Sequence, residues 1–245
     1  MRFAGSLLLR ATLAVATLTT VALTAPPVAA KCMMPGPLLA PASGIVPTNP
    51  VLHLLLPGRA QNPPLPRVVA RLGDRQVPVT VTADTAAGDL RTYRVVITAA
   101  TGPLTVELLD ARTSNIQRSW TFTVDPRWQP PPTTTTTVHV SHEASSWTCS
   151  HTLTRNLRFT GTAAAYRVVL ADAAHKASIV LPAEPDDYFR APSAASTDID
   201  LALGHVSCFG DTYEWTADKL ATIHALQPDG SEPQVTRAPV VVAPP

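Results

Sequence analysis

The chain has 245 residues, in which 19 Lys and Arg stand against 18 Asp and Glu. The length predicts one or two domains, and the balanced charge excludes an electrostatic case for binding nucleic acid or an anionic membrane surface. With 25 prolines and 11 glycines, the composition favours many short strands and turns over a helical bundle.

Residues 1–30 have the pattern of a secretory signal peptide. Arg2 supplies positive charge, residues 7–21 are mainly apolar, and the small residues before Lys31 suit a cleavage site. We therefore expect cleavage near Ala30 and export to the periplasm or the extracellular space. Because no later segment holds about 18 consecutive apolar residues, we expect no transmembrane segment.

Three cysteines lie in the predicted mature chain, at positions 32, 149 and 208. Disulfides form in exported proteins, so we expect Cys149 to pair with Cys208. That bond would close a loop of about 60 residues and stabilise the fold by roughly 4 kcal/mol. Cys32 does not fit a lipid anchor, because Lys31 precedes it where a small residue is needed. A free thiol and a bond to another chain are the alternatives for Cys32.

After a tail at residues 31–37, residues 38–125 predict a first β-sandwich. Residues 35–50 are expected to be mainly irregular, and the apolar residues 51–56 predict a buried strand. Residues 76–82 predict one edge strand, because Pro78 has no N–H for the ladder. Three later runs alternate in polarity, and their predicted inward residues are Tyr93, Val95, Ile97, Leu104, Val106, Leu108, Trp120, Phe122 and Val124.

Residues 126–137 combine prolines with five threonines and predict a linker, whose last threonines are expected to enter a strand. Residues 138–242 predict a second sandwich, with Tyr166, Val168 and Leu170 on one face of a strand. The string Tyr-Arg-Val-Val-Ile at position 93 returns as Tyr-Arg-Val-Val-Leu at position 166, which favours the same architecture for both halves. The prediction is an all-β fold of two tandem antiparallel sandwiches.

Residues 41–49 and the apolar run that follows resemble the first strand of bacterial immunoglobulin-like domains, in which a Pro-x-x-Gly loop precedes Val-Pro-x-Asn. The second half, with Trp147-Thr148-Cys149, the Tyr166 strand and the hairpin at residues 229–232, looks like a fibronectin-III or immunoglobulin-type module. The whole layout is similar to that of uncharacterised exported bacterial proteins. The resemblance implies a sandwich fold and brings no activity with it.

Strings typical of common enzyme classes are missing from the sequence, which has no Gly-x-Ser-x-Gly, no His-Glu-x-x-His and no phosphate-binding Gly-rich loop. Acidic pairs occur at Asp186 and Asp187 and at Asp198 and Asp200, where we expect solvent-facing carboxylates rather than a glycosidase pair. We therefore expect no enzymatic activity. The alternative is a hydrolase of unrecognised type that uses Asp198 or Ser207.

Histidines gather in the second half, where His139, His142 and His151 are candidates for a metal site near Cys149. Imidazole and thiolate are ligands of zinc and copper. Residues three apart on a strand point to opposite faces, which argues against a shared site for His139 and His142, and a disulfide would occupy Cys149. We expect no cofactor, and a periplasmic copper- or zinc-handling protein is the alternative.

The sequence thus predicts an exported, monomeric, non-enzymatic protein that works by binding or by spacing. Its partner would be a cell-envelope protein or a polysaccharide, contacted through the loops and sheet faces on which such modules vary. Trp128, just before the prolines, predicts either a cap on the first sandwich or an exposed stacking platform.

Overall fold

The computed structural model describes residues 36–58, 64–87, 90–132, 137–147, 150–173, 176–183, 198–206, 210–211 and 219–240. Strands are the only regular structure in these ranges, which therefore contain no helix able to span a membrane. In chain order the strands are β1 (Leu38–Ala40), β2 (Gly44–Val46), β3 (Val51–Pro57), β4 (Arg67–Leu72), β5 (Arg75–Val77), β6 (Val79–Ala87), β7 (Leu90–Ile97), β8 (Gly102–Leu109), β9 (Ile116–Val124), β10 (His139–Trp147), β11 (Ser150–Thr160), β12 (Ala165–Ala171), β13 (Lys176–Pro182), β14 (Asp198–Val206), β15 (Gly210–Asp211), β16 (Lys219–Ala225) and β17 (Gln234–Val240).

The strands form four sheets, which we name I to IV. Sheet I has the order β2-β9-β8-β4-β5, and sheet II has the order β1-β3-β7-β6. Sheet III has the order β13-β12-β16-β17, and sheet IV has the order β10-β11-β14-β15. Among the described strands the pairing is antiparallel, apart from the parallel pair of β2 and β9. The prediction of an all-β fold built from antiparallel sheets is confirmed.

Sheets I and II share a core that follows the alternation of the sequence. The inward residues predicted for β7, β8 and β9 are all buried in this core, whereas Ser119, Thr121 and Thr123 of β9 are exposed. Each large apolar side chain buried in this way stabilises the fold by about 1.5–3 kcal/mol. Period-two polarity therefore determines which face of these strands packs inward.

The prediction of a single edge strand at residues 76–82 is wrong, because these residues belong to two strands in two different sheets. β5 ends at Val77 on the edge of sheet I, and β6 begins at Val79 on the edge of sheet II. Pro78 lies between them, where its missing N–H costs neither ladder a hydrogen bond. Both strands are edge strands, as predicted.

The chain makes a similar crossing near its start, where the sequence predicts irregular structure. β1 joins sheet II and β2 joins sheet I, with the cis peptide bond Ala40–Pro41 between them. Gly44 has a φ of 110°, a conformation that glycine adopts without strain. Three-residue strands are too short to show alternation, so the sequence pattern misses both.

Sheets III and IV share a second core. The ring of Tyr166 on β12 packs edge-on against that of Phe159 on β11, with the ring centroids 4.9 Å apart. The backbone N–H of Ala163 donates to the Tyr166 hydroxyl at 3.0 Å. A Cβ at Gly161 would lie 2.1 Å from that hydroxyl, so this position needs glycine. The inward residues predicted for the Tyr166 strand, which include Val168, are all buried.

Strand β3 of sheet II is buried on both of its faces over Val51–Leu55. Along β3, Leu52 and Leu54 belong to the first core, whereas Leu55 belongs to the second core together with Ala40 and Leu90. β6 of sheet II also lies against β13 of sheet III. The sheets therefore stack in the order I, II, III, IV, and Lys31–Pro245 is one compact unit. The predicted domain boundaries at residues 38–125 and 138–242 stay a prediction.

Candidate functional site

Four polar side chains meet between sheets II and III, and we name them the junction cluster. They are His53 on β3, Asp84 on β6, Arg167 on β12 and Glu232, which precedes β17. The side chains of His53, Asp84 and Arg167 are at most 15% exposed, and that of Glu232 is 35% exposed. The cluster thus joins sheet II to sheet III in a place that water reaches poorly.

Strand geometry brings these residues together. On β12, Tyr166 and Val168 point into the second core, so Arg167 between them points to the opposite face, toward sheet II. On β6 the pairing register shifts between Ala83 and Ala86. A bulge of this kind turns a side chain away from the regular alternation, and here it lies beside Asp84.

Arg167 binds both carboxylates of the junction cluster through hydrogen bonds. Its Nη1 donates to Asp84 Oδ1 at 3.0 Å, and its Nη2 donates to Asp84 Oδ2 at 2.9 Å. Its Nε donates to Glu232 Oε2 at 2.8 Å, and Nη2 also donates to Glu232 Oε1 at 3.0 Å. Two-pronged contacts of a guanidinium with carboxylates are among the strongest hydrogen bonds in proteins. Arg167 therefore fixes the β16–β17 end of sheet III against β6.

The charges of the cluster support one another. Burial alone raises the pKa of Asp84, but His53 and Arg167 outweigh burial and lower that pKa from 3.8 to about 2. Burial also disfavours the charged form of Arg167, but Glu232 and Asp84 outweigh this effect and raise its pKa. Asp84 and Arg167 are therefore both ionised near neutral pH.

His53 makes an electrostatic contact with this pair. Its Nδ1 lies 3.6 Å from Asp84 Oδ2, which is longer than an N–H···O bond. Within the described ranges this nitrogen has no hydrogen-bond partner. A histidine beside a carboxylate can act as a general base when a substrate proton comes within about 3 Å of the ring. Here His53 is 3% exposed and sheet III covers it, so this arrangement suits a structural contact better than proton transfer.

A backbone contact lies beside the cluster. The N–H of Val51 on β3 donates to the carbonyl oxygen of Pro228 at 2.7 Å. Pro228 begins the turn between β16 and β17, and Gly230 in this turn has a φ of 84°. A Cβ at Gly230 would lie 3.1 Å from Val51 Cγ2. The turn therefore fits closely against β3.

Sequence reasoning missed the junction cluster, although two signals were present. His53 interrupts the apolar run of residues 51–56, and Arg167 stands in an otherwise apolar strand. The repeated Tyr-Arg string predicts a shared architecture and does not distinguish the two arginines. In the structure Tyr93 and Tyr166 are buried in separate cores. Arg94 follows Tyr93 on β7 and Arg167 follows Tyr166 on β12, so each arginine points away from the core that holds its tyrosine.

The candidate metal ligands lie on β10 and β11 of sheet IV. His139 is opposite Arg158, His142 is opposite Arg155, and His151 is opposite Ser146. Four register positions therefore separate His142 from His151, or about 13 Å along the strands. Within the described ranges no three His, Cys, Asp or Glu residues are grouped as a metal site would require. The side chains of His142 and His151 lie outside that description, so the metal prediction is untested.

Other predicted residues also lie outside the described part of the chain. These are Cys32, Cys149, Cys208, Asp186, Asp187 and Ser207, so the disulfide stays a prediction. Ile199 and Leu201 on the same strand are buried, and the side chains of Asp198 and Asp200 are not among those described. Trp128 is half-buried, and its backbone N–H donates to the carbonyl oxygen of Asp125 at 3.1 Å.

The chain matches no family model and no curated protein. Among solved structures it is similar to a pullulanase from Anoxybacillus sp. LM18-11 complexed with maltotriose, at 7% identity over 78% of this chain and 24% of that chain, with a TM-score of 0.25. It is also similar to pullulanase type I from Bacillus subtilis str. 168 complexed with maltose, at 9% identity over 78% of this chain and 24% of that chain, with a TM-score of 0.24. The chain thus corresponds to about a quarter of the length of these enzymes. TM-scores this low carry no argument about the function of this chain.

Proposed function

We propose that this chain is an exported, non-enzymatic binding or spacer protein of the cell envelope, with two β-sandwich domains held at one angle. The junction cluster carries the proposal. Arg167 is bonded to Asp84 of sheet II and to Glu232 beside sheet III, and the Val51–Pro228 hydrogen bond lies next to it. A protein that spaces or presents a partner needs such a stiff joint, because a loose joint would not hold the two ends at a fixed separation.

The partner would be a cell-envelope protein or a polysaccharide, contacted through the end loops and outer sheet faces of the sandwiches. The outer face of sheet I supports this use. Its strand β9 presents Ser119, Thr121 and Thr123 to solvent, and Ile45 of the neighbouring β2 is 59% exposed. Hydroxyls beside an exposed apolar side chain can contact either kind of partner.

The test uses the chain Lys31–Pro245 on a glycan array and in crosslinking to the cell-envelope fraction. The proposal expects saturable capture of one polysaccharide class or one envelope protein, and no turnover on a glycoside and ester panel. Robust turnover that disappears when Asp198 or Ser207 is replaced would overturn it in favour of a hydrolase. Stoichiometric copper or zinc in the purified protein would overturn it in favour of metal handling.

A further inference from the structure

The outer edge of β9 is only partly covered by another strand. β2 pairs with residues 122–124 of β9, and in the described part of the chain residues 116–121 have no strand partner on that side. We name residues 116–121 the open edge. On the other side of β9 the register with β8 is regular from Arg118 to Thr121. Some backbone N–H and C=O groups of the open edge therefore point away from sheet I and are available to a further strand.

The open edge lacks two features that protect other sheet edges of this protein. Proline and bulges both discourage the pairing of an edge with another strand. β17 at the edge of sheet III contains Pro239, and β6 at the edge of sheet II has a register shift between Ala83 and Ala86. Residues 118–121 contain neither a proline nor a register shift.

Exposed arginines surround the open edge. Arg118 lies on it, Arg112 lies in the turn between β8 and β9, and Arg67 begins β4, which is the next strand beyond β8. The guanidinium group of Arg67 donates to the Ser114 hydroxyl at 2.6 Å. Within the described ranges none of the three guanidinium groups is paired with a carboxylate.

The carboxylates nearby are already engaged. Asp110 accepts hydrogen bonds from backbone N–H groups of its own turn, and Glu107 lies 3.8 Å from Arg71. Residues 98–101 connect β7 directly to β8, so Arg91 near the beginning of β7 lies at the same end of the strands as this turn. The Nε of Arg91 is buried and has no hydrogen-bond partner among the described residues. This end of sheets I and II therefore carries positive charge that attracts an anionic partner.

Exposed apolar side chains accompany the charge. Ile116 on the open edge is 57% exposed, and Leu65, just before β4, is 53% exposed. Unpaired backbone groups, cations and apolar side chains together match an extended protein segment with acidic and apolar residues. A polysaccharide does not present the regularly spaced N–H and C=O groups of a strand. A second copy would bring another Arg118 to the same short segment, where like charges on facing strands are destabilising.

We propose that the open edge binds an extended acidic segment of a partner protein, which adds to sheet I as a strand in line with β2. The inference rests on the protein form of the proposed function and names the chemistry of that partner. The backbone of the segment pairs with residues 118–121, and its carboxylates lie against Arg112 and Arg118. Its apolar side chains cover Ile116.

The first experiment measures by fluorescence anisotropy how a synthetic peptide of alternating Glu and Val binds to the chain Lys31–Pro245. One control peptide has Lys in place of Glu, and the other is N-methylated at alternate backbone nitrogens, which removes the donors that a strand needs. We expect saturable binding that weakens between about 0.05 and 0.5 M salt, and about tenfold weaker binding of both controls. No binding, or equal binding of all three peptides, would overturn the inference. If the N-methylated peptide binds as well as its parent and polygalacturonate displaces both, the partner is an acidic polysaccharide instead.

The second experiment locates the bound peptide. Hydrogen exchange of the backbone amides at residues 118–121 should slow when the Glu–Val peptide is present, because an added strand protects them. Arg118→Glu and Arg112→Glu should each weaken binding by at least about fivefold. Arg237→Glu is the control and should leave binding unchanged, because Arg237 is exposed on the edge strand β17 of sheet III. Unchanged exchange, or equal binding by all three variants, would overturn the inference.

The outcomes separate this inference from the proposed function. If the wild-type chain captures an envelope protein and Arg118→Glu and Arg112→Glu capture it equally well, the open edge is not the docking site and the proposed function stands. If the wild-type chain captures only a polysaccharide, the inference is again wrong. If it captures nothing from the envelope, the proposed function itself fails, whereas the peptide experiments still decide whether the open edge accepts an acidic strand.

Discussion

Replacing Arg167 by methionine tests the junction between sheets II and III. Methionine keeps an unbranched apolar stem of similar reach but removes all four hydrogen bonds to Asp84 and Glu232. Asp84 then remains in a site of low exposure, where its one other contact in the described part of the chain is His53 at 3.6 Å. A buried carboxylate without a strong partner is the main source of the expected cost.

The magnitude follows from the burial of the pair. Breaking a buried ion pair by removing one partner costs about 3–5 kcal/mol, and the low end applies because both side chains are 14–15% exposed. We therefore expect the free energy of unfolding to fall by about 3 kcal/mol, or the Tm to fall by about 6–12 °C for a chain of this size. This loss is a large part of the 5–15 kcal/mol that stabilises a typical domain.

Urea unfolding of the wild type and of Arg167→Met measures this loss. Arg118→Met is the control, because Arg118 is an exposed arginine on β9 of sheet I, outside the junction, and its expected effect is within about 0.5 kcal/mol. In an Asp84→Asn background the Arg167→Met change should cost at least about 1 kcal/mol less, because no carboxylate is left unpaired. Equal losses for Arg167→Met and Arg118→Met would refute the reasoning.

Three further predictions concern acid, the turn at the junction and the disulfide. Because the pKa of Asp84 is lowered to about 2 in the folded state, its ionised form stabilises the protein above about pH 4. This contribution, about 2 kcal/mol, is lost as the pH falls to about 2. The urea midpoints measured at pH 4, 3 and 2 should therefore fall more steeply for the wild type than for Asp84→Asn, and parallel falls would contradict this. Gly230→Ala should lower the free energy of unfolding by more than Gly44→Ala does. Both glycines have positive φ, but of the two only Gly230 has neighbours within 4 Å of the added Cβ. Equal urea midpoints for the two variants would argue against the close fit of the turn. Under non-reducing conditions the second half should melt at a higher temperature than after reduction, if Cys149 and Cys208 are bonded, and three free thiols by Ellman titration would show that they are not.

The alternation of polarity predicted the parts of the fold that depend on one strand at a time. Tyr93, Val95 and Ile97 are buried on one face of β7, and Ser119, Thr121 and Thr123 are exposed on β9. Each of these outcomes depends on the period-two geometry of a strand, which any window of the sequence contains. The sequence therefore predicted the cores well.

The junction depends on contacts between distant parts of the chain, and local patterns do not contain them. Asp84 and Arg167 are 83 residues apart, and the apolar run of residues 51–56 indicates burial without saying what covers each face. The crossings at Pro41 and Pro78 depend on where two sheets lie relative to each other. For the same reason, local sequence patterns did not indicate that His53 would lie beside a carboxylate.

Small-angle X-ray scattering of the chain Lys31–Pro245 tests the central claim most directly, which is that the junction cluster holds sheets II and III together as one rigid body. We predict that the wild-type scattering curve fits a single compact conformation and that Arg167→Met broadens the distribution of distances, whereas Arg118→Met does not. A wild-type curve that requires two freely swinging halves would contradict the account.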